Sequence, residues 1–475
     1  MREFQQNDEE RGEELNELLQ RFENLRKGRS GSYIEEESFE KLIEHFELQE
    51  QFIKAYQVVE IAIEQFPYSA SLLIKKADLL LDKRAYEDAL HLLEQAAIFD
   101  NRNIDIYILK TEAYLALDQH EAAVEVLHEA LRLFEGEERV ELLFELADVY
   151  DDYEDFDKVF DCLKEILNQE PENEEALYKF CFWTDYTGRN AESIELHKKI
   201  IDDHPYNELA WFNLGTAFQG IKLYEKAIDA YKYALVIDEK MDYAYRNIGD
   251  AYIRLRKYKD AIENLEKVIE LSKPEDVIYE AIGYCYEKMK NFSQARFYYR
   301  KASHLNPEVS TLSYKIAYTY YKEGMYAQCI KQLESSLKVK RNKAEYNFLM
   351  GECKINLGYT KEAVQYFMNV VRLKPKSTMG WESLIKCLYK AEYYDEALQQ
   401  IEQAYFMTNE KPIFNYLRAL IYFAIGKTKE ALIHLENALE RTPSLLKKIL
   451  QINPALLQHP QVAEMITRYK KKKEK

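Results

Sequence analysis

The chain has 475 residues, 65 Lys and Arg against 83 Asp and Glu, a formal net charge of −18, and 47% hydrophobic residues. Only 14 Gly and 10 Pro punctuate it, too few for the turns of a strand-rich protein. The acidity opposes a phosphate backbone, so the expectation is a mostly helical protein whose partner is not nucleic acid.

The N-terminal segment, residues 1–35, is charged from its first residues (MREFQQNDEERGEEL) and lacks the apolar stretch of a secretory signal. No later run is long and apolar enough to cross a bilayer, which makes membrane association unexpected and a soluble, cytoplasmic chain the reading. Leu15, Leu18, Leu19, Phe22 and Leu25 recur at helical spacing, predicting an amphipathic capping helix before a break at Gly31. The same helix is a candidate partner-binding or self-occluding element. The cysteines Cys162, Cys181, Cys285, Cys329, Cys353 and Cys387 form no CxxC pair and read as reduced thiols.

From residue 36 to residue 445 the sequence repeats every 34 residues. First positions fall at Glu36, Ala70, Ile104, Val140, Glu174, Glu208, Asp242, Asp276, Ser310, Ala344, Thr378 and Pro412, with one two-residue insertion near Glu135 to Glu138. Position 8 is Gly or Ala in eight of the twelve repeats, and position 20 is Ala in nine, as a close helix crossing requires. Position 17 is aromatic in eight repeats, from Phe52 to Tyr394, placed to fill the space beside the turn. Gly188, Gly324, Gly358 and Gly426 stand at position 15, where a helix end needs a left-handed residue. Pro67, Pro171, Pro205, Pro307, Pro375 and Pro443 at position 32 end the second helix of their repeats. Residues 446–467 predict C-terminal capping helices broken at Pro454, and residues 468–475 form a basic tail.

These columns resemble the tetratricopeptide repeat. The repeat from Glu208 supplies Trp211, Leu214, Gly215, Phe218, Ala227, Tyr231 and Ala234 at signature positions, and the one from Asp276 supplies Tyr279, Ile282, Gly283, Tyr286, Ala295, Tyr299, Ala302 and Pro307. The repeats at Glu36, Val140, Glu174 and Ser310 depart most from the pattern. The resemblance implies an all-α, right-handed superhelical solenoid of helix-turn-helix units, stacked because no single unit buries its own apolar face.

It further implies that ligands lie on the first helix of each repeat, at positions 2, 5, 9, 12 and 13. In the first third those columns hold Glu40, Glu44, Glu47, Asp78, Asp82, Glu112, Asp148, Asp151, Asp152 and Asp185, an acidic groove suited to a basic segment. Phe144, Tyr178, Phe182, Tyr186 and Phe212 then offer flat apolar contact. Toward the C-terminus Tyr314, Tyr318, Tyr321, Phe348, Tyr389 and Tyr416 alternate with Arg246, Arg254, Lys288, Lys322, Lys386 and Lys390, a mixture for acidic or aromatic peptides. Solvated charge is the plain alternative for the acidic third, and inter-repeat core for some tyrosines. The Lys and Asn pair by which chaperone adaptors of the family grip a carboxylate does not occur. Of the asparagine ladder found in some arrays only Asn213 and Asn247 stand, at position 6.

The nine His form no metal-ligand spacing, and GxxxxGK[ST], GxGxxG and GxSxG are absent. The expectation is a protein without metal, cofactor or catalysis: a scaffold or adaptor that binds a protein or extended peptide. A regulatory receptor that closes around a short signalling peptide is the alternative.

Overall fold

A computed structural model describes residues 2–27, 33–307, 310–337 and 343–473, without the side chains of residues 2–13, 310, 335–337 and 468–473. The expected break at Gly31 and the side chains of the basic tail lie outside the described residues. The described chain is tandem helix pairs with no strand among them. By its contacts it divides into two units, 1–241 and 242–475, holding repeats 1–6 and 7–12.

The 34-residue register is kept closely. All twelve second helices begin at position 17, from Phe52 through Thr428. First helices begin at position 1 in ten repeats; that of repeat 4 starts earlier, at Glu137 after the insertion, and that of repeat 12 at Ile413, with Pro412 before it. Several are started by a side chain at position 34 of the preceding repeat: Asn173 accepts from the Ala176 N–H at 2.9 Å and Asn207 from that of Ala210 at 2.8 Å.

The turn between the two helices needs a left-handed residue in every repeat, not only where glycine stands. Besides the four glycines, position 15 has positive φ at Glu50, Arg84, Asp118, Glu154, Lys222, Arg256, Lys290 and Glu392, between 56° and 64°. The conformation is held by two bonds back to the first helix. In repeat 6 the Lys222 N–H donates to Gln219 at 2.9 Å and the Leu223 N–H to Phe218 at 2.9 Å. Each non-glycine residue there accepts roughly 1 kcal/mol of backbone strain.

All nine position-20 alanines are fully buried. Position 8 works with position 24 of its own repeat, and the pairs vary together. Ala77, Ala147, Ala317 and Ala419 face Leu93, Leu163, Leu333 and Leu435, whereas Gly215, Gly283 and Gly351 face Tyr231, Tyr299 and Phe367. A Cβ on Gly215 or Gly283 would meet the tyrosine ring at 2.6 Å. The larger ring therefore excludes even a methyl group. Gly249 is the exception, with the bendable Leu265 at 2.8 Å.

The N-terminal helix, Arg2–Arg26, lays Phe22, with Leu18, Leu19 and Leu25, on the core of repeat 1 formed by Phe39, Leu42, Ile43 and Phe46. After repeat 12 come the helix Leu446–Ile452, a 3-10 turn Pro454–Gln458 and the helix Pro460–Lys473. Ile449, Leu456, Val462 and Ile466 join the core of the last repeats, giving it the cover that a further repeat would otherwise supply.

Candidate functional site

In the first unit the acidic columns converge. Burial raises the carboxyls of Glu47, Asp78 and Glu112 above the ordinary range, and neighbouring carboxylates add to it. Glu47 feels Asp78, Glu44 and Asp82; Asp78 feels Asp82; Glu112 feels Asp78 and Asp82. The row continues through Glu145, raised by burial and then by Asp148, Glu141 and Glu112. Asp151 and Asp185 are exposed at the surface, yet partial desolvation by the neighbouring helices still raises both, Asp151 also through Asp152 and Asp148. The carboxylates from Glu47 to Asp151 thus face one another across successive repeats. Glu145, at position 6, lies outside the five columns that the resemblance marks for ligands.

Few cations answer this row. Lys75 lies 3.9 Å from Glu47, and Lys179 lies 3.3 Å from Asp148. Glu40 accepts a hydrogen bond from the Ser71 hydroxyl of the next repeat, while Glu44 and Asp82 are exposed.

Beside the acidic row Tyr178, Phe182 and Tyr186 are exposed on the first helix of repeat 5, Glu174–Thr187. The Phe182 and Tyr186 rings stack at 6.2 Å, and Phe156 and Trp183 pack beneath Tyr186 at 4.6 and 5.7 Å. Phe144 is half-buried under the Lys179 ammonium, and Phe212 half-buried against Tyr231.

In the second unit, Tyr314, Tyr318 and Tyr321 form a half-buried row on Ser310–Lys322, with centroids 6.2 and 6.3 Å apart. Tyr314 also meets Tyr346 of the next repeat at 5.4 Å, and Tyr321 meets Tyr326 at 5.8 Å. Burial pushes the Tyr314 and Tyr321 phenols up to about 12, so both stay neutral. Lys322 covers Tyr318 at 4.9 Å. The Tyr321 hydroxyl donates to Glu352 at 3.4 Å, and Lys386 and Lys390 oppose the rise that burial causes in that carboxyl. Phe348 and Tyr389 are half-buried, Tyr389 accepting from the Asn453 amide at 3.2 Å. Arg246 and Arg254 are exposed, 3.3 Å from Glu275 and 3.5 Å from Asp250. Lys288 stands 4.8 Å over Tyr284, and Asn247 is half-buried.

Two residues expected to line the groove lie in the core instead. Tyr416 is fully buried, its hydroxyl donating to the Thr442 carbonyl at 2.9 Å, because the C-terminal segment packs onto the last repeat's core. Asn213 is buried with its amide donating to the Leu177 carbonyl at 2.8 Å, tying its repeat to the one before. Position 6 reaches back elsewhere too, as Lys179 does to Asp148 and Lys315 to Glu280. At these three positions the column links successive repeats.

The comparisons decide the family. Tetratricopeptide-repeat models match residues 80–143, 344–377 and 383–445, and the C-terminal ARM domain of tetratricopeptide repeat protein 21 matches residues 219–347, together more than half of the chain. The chain belongs to the tetratricopeptide-repeat family. Its helix pairs are those of the repeat, which family members generally use as non-catalytic protein-interaction scaffolds.

Several solved structures are similar at low identity. YrrB, described as a TPR protein with an unusual peptide-binding site, is 18% identical over 39% of this chain and 96% of its own, with a TM-score of 0.35. The C-terminal part of a TPR repeat-containing protein from Cytophaga hutchinsonii is 18% identical over 51% of this chain and 99% of its own, with a TM-score of 0.44. The APC/C hetero-tetramer Cut9–Hcn1 matches at 14% identity over 92% of this chain and 96% of its own, with a TM-score of 0.34. No curated protein sequence matches the chain. No helix among the described residues is long and apolar enough to cross a membrane.

Proposed function

We propose that this tetratricopeptide-repeat chain is a non-catalytic, cytoplasmic scaffold that holds a protein or extended peptide along the first-helix faces of its repeats. The observation that carries the reading is the half-buried row Tyr314, Tyr318 and Tyr321: rings held by packing, with part of their surface in water, beside Lys322 and Glu352. Fixed aromatics lose little entropy when a partner covers them, and such residues dominate binding energy at many interfaces.

The test is a crosslinking pull-down from native lysate with wild type and a Tyr314→Ala, Tyr318→Ala, Tyr321→Ala variant whose helicity is checked by circular dichroism. Loss of a specific partner from the still-helical variant is expected. Identical partner sets would overturn the assignment of binding to this row.

A further inference from the structure

The first helix of repeat 5 carries Tyr178, Phe182 and Tyr186 at four-residue spacing, and they are 58%, 61% and 60% exposed. Side chains four apart share one helix face. Three large rings in a single solvent-facing stripe, rimmed by charge, form the apolar patch of an interaction site rather than scattered surface residues. The rim is anionic: Asp148, Asp151, Asp152 and Asp185 are exposed on the first helices of repeats 4 and 5.

One of the chain's own side chains shows how this surface takes a cation. The Lys179 ammonium sits 5.1 Å from the Phe144 ring centroid, 3.3 Å from Asp148 and 3.0 Å from Glu175. Ring quadrupole and carboxylate charge act on it together. The same combination of residue types continues along the stripe. Asp185 lies between Phe182 and Tyr186 in sequence, and Asp151 and Asp152 hold in repeat 4 the positions of Asp185 and Tyr186 in repeat 5.

We infer that the aromatic stripe of repeat 5 and its acidic rim dock a cationic segment of a partner protein, in which lysines or arginines flank an apolar side chain. The apolar residue lies on the rings and the cations reach the carboxylates. An acidic segment would be repelled by the same rim. The inference rests on the scaffold reading above and adds the chemistry of the partner.

The experiment measures fluorescence anisotropy of the full chain with two labelled synthetic peptides, one of leucines flanked by lysines and one with glutamates replacing the lysines. The lysine peptide is expected to bind, and about tenfold or more weaker to a Tyr178→Ala, Phe182→Ala, Tyr186→Ala variant, which keeps every charge. Asp151→Asn with Asp152→Asn weakens it too, as does raising NaCl from about 50 to about 500 mM. The rings are mostly exposed but cover Phe156 and the buried Trp183, so circular dichroism and urea unfolding establish that each variant keeps its fold before binding is compared.

Equal binding to the aromatic variant would reduce the effect to bulk charge and overturn the inference, as would binding of the glutamate peptide or no binding at all. Self-association that is lost both in the aromatic variant and on deleting residues 468–475 would assign the face to a second copy, and likewise overturn a foreign partner. If the lysine peptide fails while the Tyr314, Tyr318 and Tyr321 variant still loses its partner, this inference falls and the scaffold reading stands.

Discussion

Replacing Gly283 by Ala tests the pairing of positions 8 and 24 that sets how closely the two helices of a repeat approach. The added methyl would stand 2.6 Å from the Tyr299 ring. That ring is fully buried and its hydroxyl donates to Glu287 at 2.9 Å, so it cannot swing away without breaking a bond. Overpacking of this kind costs about 1–3 kcal/mol. The helix itself gains about 1 kcal/mol when Ala replaces Gly, so the net expected loss is up to about 2 kcal/mol. In a Tyr299→Leu background the pair becomes the Ala and Leu combination of repeats 2, 4, 9 and 12. There the same substitution should be stabilising by about 1 kcal/mol, giving a coupling energy of about 1–3 kcal/mol of definite sign. Urea unfolding of the four proteins by circular dichroism, with hydrogen exchange of repeat 8 as a local readout, measures it. A Gly283→Ala change that costs the same in both backgrounds refutes the account of position 8.

At position 15, Lys290→Gly relieves a φ of 62° and should stabilise by roughly 1 kcal/mol, while Gly324→Ala, at 77°, should lose a similar amount; urea midpoints check both. His197 is fully buried, and burial holds its imidazole down to about 4. A base with a depressed folded pKa is protonated first in the unfolded chain. Stability is therefore lost as pH falls from about 6.5 to about 4, by roughly 3 kcal/mol from this group. The raised carboxyls of the acidic row work the other way, since the folded chain binds their protons first and gains stability as pH falls through their range. His197→Leu should thus reduce, by roughly 3 kcal/mol, the loss of stability between about pH 6.5 and about pH 4, leaving the smaller contribution of His434, which burial also depresses; an unchanged slope in urea unfolding over that window would contradict the assignment. Asn213→Ala removes the side-chain bond to the Leu177 carbonyl, which keeps its helical partner, and should cost about 1 kcal/mol in thermal or urea unfolding without weakening partner binding.

The sequence alone determined what is local to one repeat. A left-handed turn, a small residue at the crossing and a proline after the second helix are demands on single positions, so twelve copies displayed them as columns and the second helices begin where those columns put them. The pairing of Gly with a ring and Ala with leucine at positions 8 and 24 was also present in the letters, since both members lie in the same unit. Only the tertiary structure decided exposure, because that depends on what the neighbouring repeat brings. Tyr178 and Tyr314 occupy the same column, yet the first is exposed and the second meets Tyr346 of the following repeat. Tyr416 shares the column as well and is buried, because the segment after the last repeat joins the core around it. Asn213 turned out to bond to the preceding helix for the same reason: a side chain that spans two repeats is specified by both, and a column records only one.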